Sequence, residues 1–349
     1  MVQAYVIGVG ETRHTAVRDD VNTTELAWEA VSAALADADV ELDDIDNAVT
    51  ASQDFWEGRT ISSMSVNEVV AGYLRPEAKV AADGAQAVMY EWARIVGGTY
   101  RLGLVVAHCK ESVADPHAVD LAAMDPYYLR DLDVDEIVAA GLQVGLLGYP
   151  GEIRARAVEA ATSRSPWRDG VSAHDVLASP ETSSPLRQLE RAPFADGACA
   201  LVVADGETAD RLGRPAIRIA GCGTSTDAYW TDRDLTRAPA IAAARDAALG
   251  ASGWEALPDA VEIVAPFAHQ ALLWGSEIGL GTPEDVVAHL AGPGSPRGGW
   301  LGGTPGVVAG LSAVAGCVRA LRESPGRALA HGATGILGQS HHVVCLEGG

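Results

Sequence analysis

The chain has 349 residues, 48% of them hydrophobic and 21% charged, which fits one large globular domain or two of ordinary size and excludes a disordered chain. Lys and Arg number 25 against 47 Asp and Glu, a formal charge of −22, and this balance argues against a nucleic-acid or anionic-membrane binder, since both need a basic face. No apolar run reaches the length of about 18 residues that a transmembrane helix requires.

The opening stretch MVQAYVIGVGE has no basic region, long apolar core or cleavage site; it reads as a strand over 4–9 rather than a signal peptide. A helix follows over 24–36, with Thr23 or Thr24 as its cap and Leu26, Ala27, Ala30, Val31 and Ala34 along one face. The pattern then gives a strand over 45–51, a helix over 84–96 and a strand over 102–108. Strands alternating with helices imply a layered α/β fold with a largely internal sheet. Residues 111–194 hold most of the scattered polar, Pro and aromatic residues, and read as an inserted lobe that shapes a pocket or a subunit contact. The five cysteines (Cys109, Cys199, Cys222, Cys317, Cys345) are scattered and mostly in apolar runs. They read as buried reduced thiols of a cytoplasmic protein, with no spacing that suggests a metal.

The chain repeats itself. Residues 25–53 resemble 239–270, each a helix ending in Ala-Ala-Leu, an Asp-containing loop and an acidic lead into a strand. Residues 83–109 parallel 305–332, each a Gly-started helix followed by an apolar strand ending in Ala-His, so His108 and His331 take equivalent places. The offsets, about 214 and about 222, are nearly constant and predict duplicated halves, 1–213 and 214–349. The turn GVGETRH is not a dinucleotide fingerprint, because Arg13 stands where the third Gly would be.

Two halves with a long insertion resemble the plan of the thiolase superfamily. AYVIGVGETRH is similar to its first strand and turn, and residues 25–49 to its first helix and next strand. Residues 176–205, ending in ADGACALVVAD, are similar to the segment that closes the first half in the sterol-carrier-protein and lipid-transfer-protein types. FAHQAL (267–272) resembles the Asn-Glu-Ala-Phe loop, and SPRGGWLGGTPG (295–306) stands where the family has Asn-Pro-x-Gly-Gly and Gly-His-Pro. The resemblance covers essentially the whole chain and implies an α/β/α layered fold of two similar halves with an inserted loop lobe.

It also implies a reaction at a coenzyme A thioester, with a cysteine that takes the acyl group, a histidine that activates it, and oxyanion holes. Each of these parts is altered. Ala81 takes the cysteine position of the Cys-x-Ser/Thr-Gly turn, and Asp83 the Ser/Thr position. Gly303-Thr304-Pro305 replaces Gly-His-Pro, and threonine is no base near neutral pH. Val264 replaces the oxyanion Asn or His ahead of Phe267. His331 alone keeps a residue able to act, as acid/base or oxyanion donor; the other reading is a hydrogen-bonded strand-end histidine. His269 either faces the pocket or is a satisfied histidine. Asp83 is a helix cap or a catalytic carboxylate. The Gly-rich run around Gly303 is a tight turn or a phosphate cradle, and Trp300 fills part of an acyl pocket. His341 and His342 are adjacent on a strand and cannot chelate one metal.

Losing nucleophile, base and oxyanion group together leaves no thiolase mechanism in the chain alone. The resemblance therefore implies a non-catalytic subunit of a hetero-oligomeric acyl-CoA thiolase of lipid or steroid degradation. Its partners would be a catalytic thiolase homologue, contacted near 78–96, and a small OB-fold acyl-CoA-binding protein. The alternative is an acyl-CoA carbon–carbon lyase or acyltransferase using His331. No covalent cofactor is expected. Coenzyme A thioester is the candidate ligand, with Arg233 and Arg237 as the basic residues nearest to hand.

Overall fold

The computed structural model describes residues 2–58 and 61–349. The first run of elements is β1 (Ala4–Glu11), α1 (Thr23–Ala38), β2 (Asn47–Ala51), α2 (Asp54–Glu57), β3 (Glu77–Val80), α3 (Gly84–Val96) and β4 (Leu102–Lys110). Between β4 and β7 (Asp196–Asp205) lie α4 (Pro116–Ala123), α5 (Glu136–Leu147), α6 (Gly151–Arg164), α7 (Ala173–Ala178) and a small hairpin of β5 (Glu181–Ser183) and β6 (Leu186–Arg187). The chain continues through α8 (Gly206–Leu212), β8 (Ile217–Thr226), α9 (Pro239–Ser252), β9 (Ala260–Glu262), α10 (Ala268–Gly275), α11 (Pro283–Ala291), α12 (Gly306–Glu323), β10 (Gly326–Thr334) and β11 (Ser340–Gly348).

Nine strands form one mixed sheet in the order β3-β2-β4-β7-β1-β8-β11-β10-β9. Read outward from its middle, where Val6 faces Ile217 and Ala4 faces Ile219, the two sides follow the same plan. The last strand of each run, β7 or β11, is antiparallel to both of its neighbours. Outside it lie parallel strands, β4 with β2 on one side and β10 with β9 on the other. Among the described residues the second side has no counterpart of β3.

The glycines of β1 and β8 repeat the symmetry. A side chain on Gly8 or Gly10 would run into the backbone of α1 at Ala34 or Ala30, and one on Gly221 or Gly223 into the backbone of α9 at Ala248 or Ala244. Each pair lets a helix lie directly on its strand. This is the physical role of the Gly-Val-Gly of the opening strand.

The predicted stripe of α1, Leu26 to Ala34, is fully buried. Its cap differs from the expectation: Asn22 accepts from the Glu25 N–H at 3.0 Å, and the Glu25 carboxylate accepts from the Asn22 N–H at 2.9 Å. A reciprocal capping box satisfies two free donors where a lone threonine would satisfy one. The Thr23 and Thr24 hydroxyls turn instead to Glu57 and to the Ser65 carbonyl.

Helices α3 and α12 pack side by side on one face of the sheet and reach strands from both sides of its middle. Their sequences suit the place, since α12 is small or apolar around most of its circumference. One polar group intrudes. Glu91 of α3 is fully buried, with Asn47 Nδ2 donating to its Oε1 at 3.1 Å. Glu91 Oε2 and Asn47 Oδ1 have no partner. Burial pushes this carboxyl up to about 7, against the Asn47 hydrogen bond. The folded chain therefore holds a proton that the unfolded chain releases from about pH 4, and stability is lost as pH rises toward 7. Glu91→Gln removes the charge and lets an amide donate to Asn47 Oδ1. The variant is expected to match the native protein at pH 5 and to exceed it by about 2 kcal/mol at pH 8. Urea unfolding at the two pH values checks this; an equal or lower stability at pH 8 contradicts it.

Candidate functional site

A cavity of about 220 Å³ opens where α4 and α5 of the lobe meet the N-terminal ends of α3 and α12 and the loop after β10. Its walls are largely apolar: Trp56, Val119, Phe194, Phe267, Trp274, Trp300 and Val307. Among them stand Asp83, Glu111, Asp120 and Glu136, with Arg191 as the cation.

Two of these carboxyls serve the central helices. Asp83 caps α3: its Oδ1 accepts from Ala85 N–H at 2.7 Å and its Oδ2 from Gly310 N–H of α12 at 2.8 Å. Glu111 accepts from Gly306 N–H, the first residue of α12, at 2.9 Å, and from Ala195 N–H at 2.8 Å. Burial pushes each up to about 7, while the backbone donors pull the other way. The positive ends of both helices are thus occupied by the chain's own acids.

The other two come from the lobe. Glu136 accepts from Leu337 N–H at 3.2 Å. Asp120 is buried and, among the described residues, has no hydrogen bond and has Arg191, at 3.9 Å, as its nearest cation. Burial first, then the charge of Glu136, holds Asp120 above the usual carboxyl range. Arg191 stacks on the Phe194 ring at 4.0 Å.

No family model matches the chain, and no curated protein matches it in sequence. Solved structures do match in shape. Human mitochondrial 3-ketoacyl-CoA thiolase superposes with a TM-score of 0.79 at 15% identity, over 99% of each chain, and a second structure of that enzyme was solved in complex with CoA. An Ltp2-ChsH2(DUF35) aldolase gives 0.77 at 20% identity, over 99% of this chain and 98% of that one. A monomeric SCP2-thiolase-like protein type 1 from Mycobacterium smegmatis gives 0.74 at 19%, over 99% of this chain and 77% of that one. The chain has a thiolase-like fold.

Within this thiolase-like fold the predicted positions separate. Ala81, equated with the nucleophilic cysteine, is exposed, and it is Ala82 that forms the cavity wall. Neither offers a thiol. All five cysteines are buried, outside the lining, with their thiols pushed up by burial. Asp83 is the cap. Phe267 and Trp300 line the cavity, and a side chain on Gly306 would strike the Trp300 ring. Val264, Gly303 and Thr304 are buried behind the wall.

His331 is a correction to the catalytic reading. It is fully buried and outside the lining. Its Nδ1 accepts from Val264 N–H at 3.2 Å, so the ring proton sits on Nε2 and is donated to His341 Nδ1 at 2.9 Å. Both nitrogens are spent, and burial holds the ring neutral. His342 points the other way, to Thr224. His269 is likewise a buried core histidine outside the lining, its Nε2 donating to Gln143 Oε1 at 3.0 Å while Nδ1 has no partner among the described residues, and burial pushes it down to about 3.

The coenzyme A residues are also corrected. Arg233 donates to the carbonyls of Ile336, Leu337 and Gly338 and so pins the loop that lines the cavity. Arg237 pairs with Glu277 at 2.6 Å. Both lie outside the cavity lining, Arg233 enclosed and Arg237 on the surface. The Gly-rich run is a turn rather than a cradle: Gly298, Gly299 and Gly303 have φ of 74°, 58° and 92°, and Glu262 takes the N–H groups of Arg297 and Gly299. The sequence reading missed Glu111, Asp120, Glu136 and Arg191. In a chain so rich in acids, nothing local marks a carboxylate that turns inward.

Proposed function

We propose that this chain is a thiolase-fold subunit that carries out no thiolase step itself and works beside a catalytic thiolase homologue on acyl-CoA thioesters of lipid or steroid degradation. The supporting observation is the cavity wall: it holds carboxyls and aromatic rings but neither a thiol nor an imidazole. A thiolase step needs a group that forms a thioester and a base that activates it, and a carboxyl already bonded to two backbone N–H groups supplies neither. With His331 spent on Val264 and His341, the lyase or acyltransferase alternative loses the histidine it was built on.

The mirrored strand order and the paired glycines support reading the chain as two halves, 1–213 and 214–349, with 111–194 inserted. For the partner, β3 ends the sheet with its outer edge unpaired, and Ala81, Tyr73, Leu74 and Tyr90 are exposed nearby in sequence. A free edge beside exposed aromatic groups suits a second thiolase-fold chain. The small OB-fold partner is proposed because a structurally similar aldolase is a complex with a DUF35 protein. The cytoplasm is the proposed compartment, in keeping with five unpaired thiols.

Incubation of the isolated chain with acyl-labelled thioester is expected to leave no covalent label and to give no thiolysis, while the chain co-elutes with the catalytic homologue. Acyl-protein formed by the isolated chain overturns the proposal.

A further inference from the structure

The four carboxyls of the cavity are not equivalent. Asp83, Glu111 and Glu136 each accept backbone N–H groups. Asp120 is only 8% exposed, lines the cavity, and accepts no hydrogen bond from any described residue. Arg191 lies beyond hydrogen-bond reach at 3.9 Å, with its guanidinium plane against Phe194. A carboxyl set among apolar walls, reached by solvent only through the cavity and given no donor by the described residues, adds little to stability, and a fold kept for stability alone would replace it with an apolar residue of similar size. Its place next to apolar walls, reached from α4 of the lobe, is that of a group held ready for a ligand.

We propose that Asp120 is the ligand-selecting residue of this cavity and that it favours acyl thioesters whose chain carries a hydroxyl. This rests on the acyl-CoA reading above and extends it to the class of acyl group. A hydroxyl part-way along a chain gives the donor that Asp120 lacks, while the rest of the chain lies against the rings of the wall. An unsubstituted chain gives none and leaves Asp120 desolvated without a partner. That asymmetry makes a polar contact more discriminating than an extra methylene in an apolar pocket. An amide N–H of the pantetheine arm has the same donor chemistry, and the experiment separates the two sources.

The full chain is titrated with an unsubstituted acyl-CoA and with hydroxyacyl-CoA isomers of the same length bearing the hydroxyl at successive carbons, followed by emission from the wall tryptophans. At least one isomer is expected to bind about 10-fold or more tightly than the unsubstituted thioester. Asp120→Leu is expected to abolish that advantage, to bind the unsubstituted thioester more tightly than the native chain does because the desolvated carboxyl is gone, and to keep or raise the Tm. Asp120→Asn, closer in size, is expected to reduce the advantage at unchanged Tm and carries the test if the leucine variant does not fold. Equal binding of all isomers by the native chain overturns the inference and leaves the acyl-CoA reading standing. So does an advantage that survives in both variants, or an equal weakening of every thioester, which assigns Asp120 to the pantetheine amide. If no thioester binds the folded chain, the acyl-CoA reading falls and this inference falls with it.

Discussion

Gly332→Ala is expected to destabilise the chain by about 3 kcal/mol or more, because its new methyl group falls on a carboxylate that cannot move away. A side chain on Gly332 of β10 would overlap Asp83 Oδ1, and one on Gly310 of α12 would meet the same atom from the other side. A flexible side chain at such a place would swing aside. Asp83 is buried, and its two oxygens are fixed by Ala85 N–H and Gly310 N–H. Displacing it breaks charge-assisted bonds and uncaps α3 in the same step. For a chain of this size the fall in Tm is about 4 °C or more. The double variant Asp83→Ala with Gly332→Ala vacates the contested space, so its loss should be smaller than the sum of the single losses by more than about 1 kcal/mol. Additive losses would show that the two residues do not compete for one volume.

Raising KCl from 0.1 to 2 M is expected to lift the Tm by about 3–5 °C, the equivalent of a few kcal/mol of relieved self-repulsion. The formal charge is −22, and Lys79 and Lys110 are the only lysines. Lys79 pairs with Asp54, and Lys110 is buried on the carbonyls of Arg18 and Val21, so neither offsets the acidic surface. Salt has two opposed effects here. It weakens exposed ion pairs such as Arg75–Asp43, each worth about 0–1 kcal/mol. It also shortens the reach of repulsion among the excess acids from about 8 Å at physiological strength to about 3 Å at 1 M. With so large an excess, relief of repulsion wins. Neutralising exposed, unpaired acids, as in Glu68→Gln with Asp131→Asn and Glu255→Gln, should raise the low-salt Tm and flatten the dependence. A Tm indifferent to KCl would show that the surface charge is already balanced locally.

Much of the architecture was legible in residue order. The stripe of α1, the limits of α3 at Gly84 and Val96, and the strands around it follow from periodicity and caps, which act within a few residues. The repeat was legible because two halves under the same packing rule keep the same spacing, down to the glycine pairs of β1 and β8. The lack of a thiol at residues 81 and 82 is a fact of composition that no packing could reverse.

The destinations of long-range side chains were not legible. His331 and His108 take equivalent places near the ends of β10 and β4, yet the first is absorbed by Val264 and His341 and the second faces Glu57 at 3.2 Å. Arg233 reads as a free cation and proves to be the pin of a loop about 100 residues away. Asp120 reads as one more surface acid among many.

The amino-acid order determined the layered α/β fold, the matching spacing of its two sides and the lack of a thiol at residues 81 and 82, because these depend on local spacing and on which atoms exist. Only the tertiary structure decided which acids meet at one cavity and which histidines are spent inside. Those outcomes depend on the direction in which each side chain leaves its element and on the desolvation it meets there, and both are set by segments far away in the chain.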